Sequence, residues 1–84
     1  MTDVEYSTDA AQWLRDADPD AREQVLSRVE RASDFPDHFL TRLTNSRYYK
    51  LRAGDYRAII DWRREETPNI IFVRTIGHRR NVYD

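Results

Sequence analysis

The second half of the chain concentrates side chains that bind anions. Lys50, Arg52 and Arg57 lie close together in the sequence, and another basic group with aromatic neighbours ends the chain. If these segments meet, an anionic polymer would find six cations: Lys50, Arg52, Arg57, His78, Arg79 and Arg80. Tyr48 and Tyr83 add rings that can stack on bases. The chemistry indicated is recognition of phosphate in a nucleic acid.

A β-hairpin is predicted to position the first three of these cations. Segments 47–52 and 56–63 alternate like strands around Gly54-Asp55, where a two-residue loop with glycine first fits a type II′ turn. This register gives one apolar face, with Tyr49 opposite Ile60 and Leu51 opposite Ala58. The other face is polar, with Arg52 opposite Arg57, Lys50 opposite Ile59 and Tyr48 opposite Asp61.

The pairing of Arg52 with Arg57 is unusual, because like charges directly opposite one another destabilise a sheet. A structural protein would avoid this cluster or interleave acids. The alternative interpretation is a solvated surface, with the guanidinium groups in water or paired with acids such as Asp61.

The remaining elements follow from caps and periodicity. Residues 3–6 are predicted as an edge strand. Ser7 and Thr8 are both suitable N-caps for a helix over about residues 8–16. Asp18-Pro19 starts a second helix that ends near Ser33, with an apolar stripe formed by Ala21, Val25, Leu26, Val29 and Ala32. Segment 70–76 has apolar residues at both odd- and even-numbered positions, as in a central strand, and this strand is predicted to end at Gly77. The expected fold is α+β in the order βααβββ, with a helical hairpin on one face of a small, twisted, mostly antiparallel sheet.

Composition sets the outer limits. The 84 residues (10.1 kDa) are 39% hydrophobic and 12% aromatic, which predicts one folded domain over residues 1–84. Without cysteine there can be no disulfide or thiolate chemistry. The apolar runs are short and the N-terminus does not resemble a signal peptide, so we expect a soluble, cytoplasmic protein that does not bind membranes. Residues 1–40 hold ten acids and four bases, whereas residues 41–84 hold ten bases and five acids.

Two segments carry a family resemblance. They are Tyr49-Lys50-Leu51-Arg52-Ala53-Gly54-Asp55-Tyr56-Arg57 and Ile76-Gly77-His78-Arg79-Arg80-Asn81-Val82-Tyr83. At this separation, and after a helical hairpin, they resemble the RelE toxins of the RelE/ParE superfamily. The resemblance implies a toxin of a type II toxin–antitoxin system that cleaves mRNA in the ribosomal A site. The implied reaction is attack of a ribose 2′-hydroxyl on the adjacent phosphate.

The resemblance also implies roles for individual residues. Its catalytic positions match Lys50, Arg57, Arg79 and Tyr83, and we expect RNA contacts from Arg52, His78, Arg80 and Tyr48. Arginine stays protonated near neutral pH, so Arg57 and Arg79 suit stabilisation of phosphoryl charge. The general base is left open among Lys50, His78 and Tyr83. No metal or other cofactor is expected, since no carboxylates cluster among these residues.

The sequence departs from the family pattern at Tyr48, where the family often has a second lysine. Its pI of about 6.1 is also low for a family that is usually strongly basic. Two alternatives therefore stay open: a ParE-like toxin that inhibits DNA gyrase, and a catalytically inactive binding module with the toxin fold. Every alternative predicts a cognate antitoxin as partner, and the leading one adds mRNA and the ribosome.

Overall fold

A five-stranded sheet forms the centre of the computed structural model, which describes residues 2–81. The elements in chain order are β1 (Thr2–Tyr6), α1 (Thr8–Asp16), α2 (Pro19–Asp34), α3 (Pro36–Phe39), β2 (Leu40–Arg42), β3 (Tyr49–Ala53), β4 (Tyr56–Arg63) and β5 (Asn69–His78). The sheet order is β1-β5-β4-β3-β2; β1 pairs with β5 in parallel, and every other pair is antiparallel. The predicted α+β class, the predicted βααβββ core and the edge position of the first strand are confirmed.

The helices begin and end close to the predicted residues. The Ser7 hydroxyl accepts the Ala10 N–H at 3.0 Å, as expected of an N-cap. The same hydroxyl donates to the Arg74 carbonyl at 2.6 Å and so ties the start of α1 to β5. Asp18 is the N-cap residue of α2 and Pro19 begins the helix, as predicted, although the Asp18 side chain makes no capping hydrogen bond. No helix within residues 2–81 is long and apolar enough to span a membrane.

The two long helices α1 and α2 pack on one face of the sheet, and the core lies between the helices and the sheet. Its fully buried side chains include Val25 and Val29 from α2 and four residues from the sheet: Leu51, Ile60, Ile71 and Val73. Leu26 does not join the apolar stripe predicted for α2; it remains 36% exposed, whereas Ala21, Val25, Val29 and Ala32 are buried.

The β3–β4 register agrees with the prediction at every pair within the ladder. Tyr49 lies opposite Ile60, Leu51 opposite Ala58, and Arg52 opposite Arg57. The ladder begins at Tyr49 and not at residue 47, so the predicted pairing of Tyr48 with Asp61 does not form. The sequence did not predict α3 or β2, which are only four and three residues long.

A β-bulge in β5 explains why both odd- and even-numbered positions of this strand carry apolar residues. Ile59 pairs with Thr75 and Ile60 with Val73, which leaves Arg74 as the extra residue. The extra residue reverses the alternation, so that Val73 and Ile76 are both buried in the core. The strand continues to His78, one residue beyond the predicted end at Gly77.

Candidate nucleic-acid interface

The turn between β3 and β4 organises one end of the candidate site. Gly54 has φ +63°, and among residues 2–81 the only non-glycine residue with positive φ is Asn45. Positive φ at Gly54 but not at Asp55 is the pattern of the predicted type II′ turn. A β-carbon on Gly54 would collide with the side-chain amide oxygen of Gln24, so the turn also lies against α2.

Arg57 is fixed by this turn. Its Nη1 donates to the carbonyl oxygens of Gly54 and Tyr56 at 2.7 and 2.8 Å, and the residue is only 6% exposed. Within residues 2–81 the guanidinium has no carboxylate partner, and its Nε and Nη2 groups make no hydrogen bond. The alternative of a solvated or acid-paired guanidinium is therefore wrong at Arg57: two backbone acceptors hold this cation in a buried position, with part of its donor set left for another ligand.

Three further predicted residues lie near Arg57. Arg52 is its cross-strand neighbour and is exposed, and Lys50 lies two residues earlier on the same face of β3. The backbone N–H of Arg79 donates to the Asp55 carbonyl at 2.8 Å, which brings the segment after β5 against the turn. The Arg79 side chain is exposed. Arg52, Arg57 and the backbone of Arg79 thus lie at the turn end of the sheet, and Lys50 lies farther along β3 on the same face as Arg52.

An open cleft adjoins Lys50 on the side away from the turn. Its volume is about 680 Å³, and it is lined by Lys50 together with Thr41, Arg42, Leu43, Thr44, Asn45 and Ser46. Because Lys50 belongs to both the cleft and the basic cluster, a ligand in the cleft would lie beside the cations.

His78 lies on the opposite face of the sheet from Arg57. It pairs with Tyr56, whereas the preceding Gly77 pairs with Arg57. The His78 and Tyr56 rings form an edge contact with centroids 5.9 Å apart, and Tyr56 also contacts Trp13 of α1. The backbone N–H of Arg80 donates to Nδ1 of His78 at 3.3 Å. Arg80 itself is exposed, and the predicted residue Tyr83 lies outside the described residues.

Tyr48 is separated from the turn and lies in a second group of cations. Arg74 Cζ is 4.3 Å from the centroid of the Tyr48 ring, and Arg74 Nη1 donates a hydrogen bond to the Tyr48 hydroxyl. Arg47 Cζ is 5.4 Å from the same centroid. The sequence did not point to Arg47 or Arg74 as functional residues. The available signal was Arg74, a single arginine within the otherwise apolar segment of β5.

One carboxylate is shared within this second group. Asp61 accepts a hydrogen bond from Nε of Arg63 at 3.3 Å and lies 3.7 Å from Nη2 of Arg47. Arg63 Cζ in turn lies 5.0 Å from the centroid of the Phe72 ring. Residues 2–81 contain no group of three or more acidic or histidine side chains that could hold a metal ion.

Comparison with known proteins places this arrangement in a family. Residues 4–83 match the model for the ParE toxin of the type II toxin–antitoxin system parDE. A direct comparison with curated protein sequences finds no significant match.

Solved structures share the fold at low sequence identity. A chain of the toxin–antitoxin complex RelBE2 from Mycobacterium tuberculosis superposes with TM-score 0.77 and 21% identity, covering 92% of this chain and 96% of that one. A chain of the RelE–RelB complex from Pyrococcus horikoshii OT3 gives 0.76 and 17%, with coverages of 96% and 98%. The isolated E. coli RelE toxin gives 0.70 and 21%, with coverages of 90% and 82%. The family match over nearly the whole chain confirms the resemblance: the protein belongs to the RelE/ParE superfamily of type II toxin–antitoxin toxins.

Proposed function

We propose that this toxin is an endoribonuclease that cleaves mRNA in the ribosomal A site without a metal ion. The observation that carries the proposal is the position of Arg52, Arg57 and Arg79 at one hairpin turn, with Lys50 on the same face of β3. Exposed cations beside a fixed guanidinium suit a phosphodiester, whose cleavage builds negative charge on the phosphoryl oxygens.

The proposed reaction is an internal transfer within the RNA. The ribose 2′-oxygen forms a bond to phosphorus while the bond from phosphorus to the 5′-oxygen breaks. A general base takes the 2′-hydroxyl proton, and an acid returns a proton to the leaving 5′-oxygen. The products are a cyclic phosphate and a free 5′-hydroxyl, and no oxidant or second substrate is needed.

Arg57 and Arg79 are assigned to charge stabilisation, Arg52 and Arg80 to RNA binding. The position of His78 argues against it as the general base, and the proposal keeps Lys50 and Tyr83 as the candidates. His78 faces the helical layer, and its Nδ1 already accepts a hydrogen bond, so the neutral ring would carry its proton on Nε2. In this proposal His78 supports the segment that carries Arg79.

A cognate antitoxin is the second part of the proposal. Several structures that share the fold come from RelB–RelE complexes, in which the toxin is bound by its antitoxin. The exposed cations suit charge-assisted hydrogen bonds from an acidic antitoxin segment. Such a segment would cover the residues that we assign to RNA.

Inhibition of DNA gyrase is the second candidate function. The family model that matches the chain is named for the ParE toxin, and this match favours the candidate. Inhibition of gyrase requires a surface that binds gyrase, and it does not by itself account for the exposed side chains of Arg79 and of Arg52, which lies on the sheet face that carries Lys50.

A translation reaction with an end-labelled message tests the proposal. Cleavage is mapped with and without ribosomes, at two salt concentrations and with a chelator, for wild type, Arg79→Gln and the exposed control Arg15→Gln. Arg79 contacts the turn through its backbone N–H and its side chain is exposed, so within residues 2–81 the side chain can be changed without removing a hydrogen bond of the turn.

We expect in-frame cuts from wild type and Arg15→Gln that require ribosomes, survive chelation and fall at least about 100-fold in Arg79→Gln, as for loss of one transition-state donor. The absence of cleavage, together with loss of supercoiling by purified gyrase, would contradict the proposal and favour the ParE-like function.

A further inference from the structure

The surface around Tyr48 holds more positive charge than the fold requires. Arg74 reaches Tyr48 from β5 across β4, a contact between residues 26 apart in sequence. The bulge makes this reach possible, because Arg74 is the residue without a partner in the β4–β5 ladder. We define the Tyr48 platform as Arg47, Tyr48, Arg63, Phe72 and Arg74, with Asp61 between two of the arginines.

Charge on the platform is only partly compensated. Asp61 is the single carboxylate that pairs with its arginines among the described residues, against three guanidinium groups. The Arg47 side chain is 74% exposed and that of Arg63 is 38% exposed, while the Asp61 side chain is 12% exposed. The positive charge therefore faces solvent and the negative charge is largely covered.

The geometry suits bases as well as phosphates. A guanidinium that stacks on an aromatic ring with one face can stack on a base with its other face, and its N–H groups can still donate to phosphate oxygens. Surfaces that combine cations with aromatic rings in this way bind single-stranded nucleic acid with little sequence preference. The solvent-facing residues of the platform have this composition.

The platform is also continuous with the proposed cleavage site. Tyr48 lies two residues before Lys50, and the cleft beside Lys50 extends to the loop that carries Ser46. A strand of RNA held at Lys50, Arg57 and Arg79 could therefore continue along the sheet to Tyr48.

We propose that the Tyr48 platform is a second subsite for single-stranded RNA, which binds nucleotides flanking those at the turn. The inference rests on the proposed ribonuclease function and adds residues to its substrate surface. Arg74 and Arg47 are its RNA-binding side chains, and Asp61 positions Arg47 and Arg63.

Fluorescence anisotropy with labelled 2′-O-methyl oligonucleotides tests the subsite, because these strands lack the attacking hydroxyl and are not cleaved. Strands of about four and about twelve nucleotides are compared at low salt, the shorter being near the smallest single-strand site size. Arg74→Gln and Arg47→Gln are measured beside wild type and Arg15→Gln. Arg47 is exposed, so its substitution tests the subsite even where Arg74→Gln disturbs the bulge.

We expect both variants to weaken binding of the longer strand at least about 5-fold, as for one stacked base, with the shorter strand unchanged. Affinity for the longer strand should also depend less steeply on salt, because one phosphate contact is lost. Wild-type affinity of both variants for the longer strand would overturn the inference. So would loss of affinity for polyglutamate alone, which would assign the platform to an acidic protein.

Failure of the subsite and failure of the proposed function have different signatures. Wild-type cleavage of mRNA with unaltered binding by Arg74→Gln and Arg47→Gln rejects the subsite only. Absence of cleavage by wild type in the translation reaction rejects the proposed function, whatever the oligonucleotides show.

Discussion

Arg57 Nη1 lies 2.7 Å from the carbonyl oxygen of Gly54, so the side chain at the start of β4 closes the turn that precedes it. The neighbouring carbonyl of Asp55 accepts the backbone N–H of Arg79. One short turn thus fixes a buried cation and places an exposed one beside it. This arrangement makes Arg57 part of the fold as well as part of the candidate site.

Replacement of Arg57 should therefore cost stability. Arg57→Met removes both hydrogen bonds to the turn and leaves two carbonyl groups to find water, a loss of about 1–3 kcal/mol in the free energy of unfolding. Urea denaturation measures it. The matched control is Arg52→Met on the facing strand, which is exposed and should change stability by less than about 0.5 kcal/mol. Equal effects at the two positions would contradict the assigned role of the turn carbonyls.

Gly54→Ala should destabilise the protein for two separable reasons. The positive φ of Gly54 disfavours any side chain, and a β-carbon there meets the side chain of Gln24. We expect a loss of more than about 1 kcal/mol from the backbone strain. Adding Gln24→Ala should recover only the steric part, so the double variant should remain less stable than Gln24→Ala alone. Full recovery would show that φ carries no cost at this position.

The two helix starts should respond differently to alanine. Ser7→Ala removes the cap on Ala10 and the hydrogen bond to the Arg74 carbonyl, which should lower stability by about 1–2 kcal/mol. Asp18→Ala removes no capping hydrogen bond and should cost less, because only the interaction of its charge with the helix dipole is lost. Thermal unfolding of both variants at neutral pH makes the comparison. A larger loss in Asp18→Ala would contradict the observed capping.

Stability should fall in alkaline solution as Tyr6 ionises. Burial raises the pKa of the Tyr6 phenol above its usual value of 10.0, because desolvation penalises the phenolate. The unfolded chain therefore loses this proton at lower pH than the folded protein does. The contribution is fully present below pH 10 and is lost as pH rises through the folded pKa. Tyr6→Phe should flatten that part of the stability–pH curve, and an unchanged slope would contradict the assignment.

The alternation of apolar and polar residues predicted the hairpin well, because only one strand register places the apolar residues on one face and the polar residues on the other. Leu51 and Ala58 could reach the core together only with Arg52 facing Arg57, and the structure has this pairing. The start of α1 was equally predictable from Ser7, whose capping bond is local in sequence.

The burial of Arg57 and the position of Arg74 were not predictable in this way. Arginine at an alternating polar position normally faces solvent, and the acceptors that hold Arg57 are main-chain carbonyls with no sequence signature. The bulge at Arg74 depends on pairing with a strand that begins 18 residues earlier in the chain. The strand β2 forms by pairing with β3, and its three residues are too few to show the alternation of apolar and polar residues that predicts a strand.

The parallel pairing of β1 with β5 has a consequence for synthesis of the toxin. Of the described elements β1 is synthesised first, and its neighbour in the sheet is β5, the last strand within residues 2–81. Such contacts between distant parts of a chain form late in folding. The sheet cannot be completed until translation has passed residue 78. A nascent copy of this toxin therefore lacks the completed sheet, and with it the positions of Arg74 and Arg79, until the ribosome has passed these residues.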